Sequence, residues 1–120
     1  MDENERYVRD SWTDVRVEGD DKNGVRIYLK KKVWSGGDDY EPFDPRYRFY
    51  GETKAKAMKA AAEFTRALKQ EVADLQGAIR YLHLCNDHAP EIHLALGVLQ
   101  ERLADKQRGL KPAAGEGPGA

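Results

Sequence analysis

The chain has 120 residues, 34% of them charged, with a net charge of −1 and a single cysteine. That length is one domain; the near-neutral balance argues against a generic polyanion binder while leaving a local patch open, and one cysteine excludes an internal disulfide. No apolar run reaches the 18 or so residues of a membrane span, and the acidic start is not a signal peptide, so a cytoplasmic protein without a membrane segment is expected.

Residues 1–10 are polar and read as a flexible N-terminus. Trp12 to Glu18 then alternates as a strand, with Val15 and Val17 on one face and Trp12, Asp14 and Arg16 on the other. Asn23-Gly24 is a strong hairpin signal, and Val25 to Trp34 follows as a second strand in which Val25, Ile27 and Leu29 alternate with Arg26, Tyr28 and Lys30. Gly36-Gly37, Pro42 and Pro45 make the next stretch a loop. Arg46 to Tyr50 reads as a third strand, Tyr47 and Phe49 inward, Arg46, Arg48 and Tyr50 outward.

From Thr53 to Cys85 the residues are the better helix formers, with no proline. Thr53 suits the N-cap. Phe64, Leu68, Val72, Leu75, Ile79 and Leu82 are spaced as one continuous helical stripe, and Met58, Ala61 and Ala62 extend it with smaller side chains suited to close packing on a sheet. Such a helix, about 30 residues, is roughly 45 Å long, against a radius of gyration of about 13 Å for a domain of this size. It should overhang its sheet or bend, with Gly77 as the bend point. Asp87 can cap a second helix, about Ala89 to Gln107, with Pro90 in its first turn. Its Ile92, Leu96, Leu99 and Leu103 match the overhanging Leu75, Ile79 and Leu82, so the two helices should pair antiparallel, or meet a second copy of the chain. Residues 109–120 are too poor in apolar side chains to order themselves.

The expected fold is therefore α+β in the order β-β-β-α-α: a three-stranded antiparallel sheet packed on one long helix, followed by a second antiparallel helix. A single domain spans 11–108, with the helical hairpin extending over about 72–107 and a disordered tail at 109–120.

Four features bear on function. The outer sheet face should display Trp12, Arg16, Arg26, Tyr28, Lys30, Arg46, Arg48 and Tyr50, and arginines with aromatics suit phosphates and base edges. The plain alternative is a solvated sheet face, which favours the same residue types, with Asp14 and Glu18 pairing the arginines. Lys54, Lys56 and Lys59 stand at a helix N-terminus, where positive charge is unfavourable. Either a bound phosphate or the acidic loop of Asp38, Asp39, Glu41 and Asp44 would compensate. His83, Cys85, His88 and His93 cluster, but their spacing matches no zinc site and a hairpin corner explains them, so no metal or other cofactor is expected. The loop carrying Tyr40 and Phe43 among its carboxylates suits either a protein partner or solvent. No catalytic constellation is visible: the two serines, Ser11 and Ser35, lack a nucleophile context, and no Gly-rich phosphate loop occurs.

A three-stranded sheet followed by a helix opening FYGETKAKAMKAAAEF resembles the arm-type DNA-binding domain of phage tyrosine integrases and the related AP2 fold. Tyr50, Thr53, Lys54, Ala57 and Phe64 occupy comparable places, and the match spans about residues 12–70. The resemblance implies that the sheet face enters a DNA major groove, using Arg16, Arg26, Tyr28, Lys30 and Arg48. The chain departs from the pattern by its acidic loop, its long helix and the lack of a recombinase domain. Its expected role is a small, non-enzymatic, phage- or mobile-element-encoded accessory protein that binds double-stranded DNA and forms a homodimer. The alternative is a protein-interaction module or inhibitor of a host factor, acting through the acidic aromatic loop or the hairpin.

Overall fold

The computed structural model describes residues 2–29, 47–85 and 89–111. The elements are α1 (Glu3–Ser11), β1 (Val15–Asp20), β2 (Gly24–Leu29), β3 (Arg48–Gly51), α2 (Lys54–Leu84) and α3 (Pro90–Gln107). The class is α+β as expected, and the order is α-β-β-β-α-α. The chain divides after Thr65 and again after Arg108 into two compact units.

The first unit holds the sheet, α1 and the opening of α2. The strands run antiparallel in the order β1-β2-β3. The β1–β2 turn is held by Asp20, whose Oδ1 accepts the N–H groups of Lys22 (2.9 Å) and Asn23 (2.8 Å), an Asx turn. Gly24 closes it at φ +92°, where a side chain is strained. Inward-facing Val25, Ile27 and Leu29 of β2 are buried, as are Ala57, Met58, Ala61 and Ala62 of α2. The small residues let helix and sheet come close: a Cβ on Gly51 would lie 2.4 Å from the Ala57 nitrogen. Four rings run through this core, Trp12 against Tyr47 (5.6 Å), Tyr47 against Phe64 (5.4 Å) and Phe64 against Phe49 (5.2 Å).

The N-terminal residues depart from the frayed segment expected. Glu3–Ser11 is a helix that buries Glu5, Val8 and Ser11. Glu3 and Glu5 stand in the first turn and Arg9 in the last, in line with the helix dipole, whereas Asp10 stands against it. The helix is held by charge: Glu5 receives Arg9 Nε at 2.8 Å on one carboxylate oxygen and Lys54 Nζ at 3.0 Å on the other. Residues 109–111 also depart from the disorder expected. Thr13 N–H donates to the Gly109 carbonyl (2.8 Å), Lys111 N–H to the Ser11 carbonyl (2.8 Å), and Trp12 bridges Leu110. The chain thus re-enters the first unit beside Trp12.

In the second unit, α2 continues as helix through Gly77. Val72, Leu75, Ile79 and Leu82 are half-buried, and so are Ile92, Leu96, Leu99 and Leu103 of α3. Lys106 of α3 pairs with Glu71 of α2, which sets the helices antiparallel. α3 starts from Ala89 without a side-chain cap, with Pro90 in the first turn; Asp87 lies outside the described residues.

A candidate nucleic-acid interface on the outer sheet face

Strand register decides which side chains meet. Arg16 pairs with Tyr28 and Tyr28 with Arg48; Glu18 pairs with Arg26 and Arg26 with Tyr50. Directly opposed residues share a face about 5 Å apart, so the outer face carries one Arg-Tyr-Arg row and one Glu-Arg-Tyr row. Arg16, Arg26, Arg48 and Tyr50 are exposed and Tyr28 is half-buried. Tyr50, 63% exposed, lies across Gly24, where a Cβ would stand 2.5 Å from its hydroxyl oxygen. Beside it Glu18, Gly19, Asn23, Gly24 and Arg26 line a shallow cleft.

One local feature limits the positive charge. Arg16 Nε pairs with Glu18 at 3.0 Å, but both side chains are well exposed, and such pairs contribute only about 0–1 kcal/mol, so a phosphate can displace it. Arg26 makes no ion pair among the described residues.

Other expected site residues fall elsewhere. Trp12 is not on this face. It is 1% exposed and donates its Nε1–H to Thr65 Oγ1 at 2.9 Å. The alternation that placed it outside breaks because β1 begins only at Val15, after a bend at Thr13. Lys30, Arg46 and the acidic loop with Asp38, Asp39, Tyr40, Glu41, Phe43 and Asp44 lie outside the described residues.

Two of the helix-start lysines, Lys54 and Lys56, have carboxylate partners that the sequence did not suggest. The Lys54 N–H donates to Asp21 Oδ1 (2.8 Å) and its ammonium meets Glu5. Thr53 Oγ1 accepts the Lys56 N–H at 3.3 Å, the cap expected, while Lys56 Nζ pairs with Glu52 at 3.3 Å in the open. The compensation thus comes from Glu5, Asp21 and Glu52. Lys54 is committed to the fold, whereas the exposed Lys56 pair is weak enough to exchange for a phosphate. The local signal for Asp21 was its place in a turn that strand pairing carries toward the helix; Glu5 offered none beyond an acidic first turn.

Burial alone would raise the Glu5 carboxyl, but its bonds to Arg9 and Lys54 outweigh this and hold it below the ordinary 4.5. His83 and His93 are exposed and Cys85 half-buried, while His88 lies outside the described residues. Among the described residues no group of three such side chains is arranged to hold a metal ion, and no helix is long and apolar enough to cross a membrane. Leu75, Ile79, Leu82, Ile92, Leu96, Leu99 and Leu103 lie on the half-buried stripes of α2 and α3.

Comparison with protein-family models, with curated proteins and with solved structures finds no match to this chain.

Proposed function

We propose that this chain is a small, non-enzymatic, phage- or mobile-element-encoded accessory protein that binds double-stranded DNA through the outer face of its sheet. The observation that carries the reading is the register: it gathers Arg16, Arg26 and Arg48 with Tyr28 and Tyr50 on the face opposite the helix. Arginines bind phosphates and guanine edges, and a twisted sheet fits a major groove. The sheet-on-helix arrangement implied by the arm-type resemblance supports the same reading.

Titration of a labelled duplex against salt tests it. If the three arginines neutralise three phosphates, the slope of log affinity on log salt is about −2.7, or roughly 40-fold weaker binding at 200 mM than at 50 mM. Arg26→Ala should reduce that slope by about 0.9. No duplex binding at the lower salt would overturn the reading.

A second reading, a protein-interaction module, is favoured by the exposed Tyr81, Leu84, Leu94 and Val98 of α2 and α3. In that case the sheet-face arginines can be replaced without loss of function, and the apolar side chains cannot.

A further inference from the structure

The second unit carries, beside its half-buried stripes, another pair of stripes that are exposed except at Cys85 and Ala95, which are half-buried. On α2, Asp74, Ala78, Tyr81 and Cys85 are spaced 4, 3, 4; on α3, Glu91, Ala95, Val98 and Arg102 have the same spacing. At about 100° per residue each lies roughly 100° round its helix from the half-buried stripe. In both helices that rotation is toward the flank where Glu71 meets Lys106, so the two stripes share one side of the hairpin. Tyr81 is 68% exposed and Val98 43%; Asp74, Ala78, Glu91 and Arg102 are exposed as well.

The Glu71–Lys106 pair also fixes which residues stand level. Counting along the antiparallel helices from it, to within one residue or about 1.5 Å, Asp74 is level with Arg102, Ala78 with Val98, Tyr81 with Ala95, and Cys85 with Glu91. At the first level an acid matches a base and at the next two a small side chain matches a larger one, while at the fourth Cys85 stands against Glu91 without such a match. Among the described residues Asp74 and Arg102 form no ion pair, and Asp74 Oδ1 accepts from Gln70 Nε2 at 3.0 Å.

We propose that this face is the contact surface for a second copy of the chain, related by a two-fold axis along the hairpin, the two hairpins forming a four-helix bundle. The axis lays α2 of one copy over α3 of the other. Asp74 then meets the partner's Arg102, Ala78 the partner's Val98, and Tyr81 the partner's Ala95, each contact occurring twice, as an isologous interface requires. The area suffices. α3 has 18 residues, so a face about 27 Å long and two helices, about 20 Å, wide covers roughly 540 Å² per copy, near the 1,000 Å² or so in total that a specific interface needs. The proposal does not depend on the DNA reading, since it uses no residue of the sheet.

Sedimentation equilibrium of the full chain tests it, with circular dichroism to confirm that helix content is kept. Across about 1 to 100 µM the wild type should approach twice the 13.6 kDa of one chain. Tyr81→Asp should hold it at the monomer mass with unchanged helicity. Asp74→Arg and Arg102→Asp should each weaken self-association about tenfold, and together restore it to within about threefold. A wild type that stays monomeric throughout overturns the proposal, as does a double reversal no better than either single one.

Discussion

Trp12 Nε1 donates to Thr65 Oγ1 across 53 residues of sequence, at 2.9 Å and fully buried, while the same hydroxyl donates to the Ala61 carbonyl at 2.7 Å. Thr65→Val keeps the shape but orphans the indole N–H, which should cost about 1–3 kcal/mol. Removing both partners, Trp12→Phe with Thr65→Val, should cost clearly less than the sum of the two changes, because no buried polar group is then left alone. A double-mutant cycle in urea measures this; strict additivity would show that the bond does not couple the two residues.

The Glu5 carboxylate makes acid sensitivity local. Its native pKa lies below the ordinary 4.5, so its contribution is complete above about 4.5 and is lost as pH falls through the lowered native value. Glu5→Gln should destabilise the chain by about 1–2 kcal/mol at pH 7. The gap between variant and wild type should narrow steadily toward pH 3. Chemical denaturation at a series of pH values reads this directly, and a gap constant over that range would contradict it.

Two glycines are bound by space. At Gly51 an added Cβ meets the backbone of Ala57 at 2.4 Å and 2.9 Å; backbone cannot swing aside, so Gly51→Ala must lift the start of α2 off the sheet, costing about 1–3 kcal/mol. At Gly24 the obstruction is the exposed Tyr50 side chain, which can turn away. There Gly24→Ala should pay chiefly for its left-handed φ, about 1–2 kcal/mol, and a paired Tyr50→Ala change should recover little of it.

Gly77 and Gly97 are the opposite case. Both lie inside helices, and a Cβ at either meets nothing within 4 Å. Gly77→Ala and Gly97→Ala should each stabilise the chain by about 0.5–1 kcal/mol through helix propensity and a less disordered unfolded state. A raised thermal midpoint is the expected readout; a fall would mean that close approach by another body needs the bare backbone.

Much of the architecture was legible in residue spacing. The stripe from Phe64 to Leu82 specified α2 because few other structures bury a 4-4-3-4-3 pattern, and Asn23-Gly24 marked the hairpin. Arg16, Arg26, Tyr28, Arg48 and Tyr50 were placed together by simple alternation. α1 was not legible, since its buried face offers one aliphatic, Val8, among polar Glu5 and Ser11. What holds it is Lys54, 49 residues away, and no local pattern reports that. Trp12 was misplaced because alternation was carried three residues beyond the true strand start. The second stripe of the hairpin needed the Glu71–Lys106 register, which only pairing of the helices supplies.

The closing contacts at Gly109–Lys111 bear on how the molecule is made. Thr13 waits for a carbonyl 96 residues later in the chain. At the usual 5–20 residues per second the ribosome takes roughly 5–20 s to deliver it. During that interval the sheet and the opening of α2 can already be assembled while the rim around Trp12 stays unsealed. A nascent chain stalled before residue 109 would therefore present that rim to chaperones and proteases, and the arrival of Gly109–Lys111 would close the door on them.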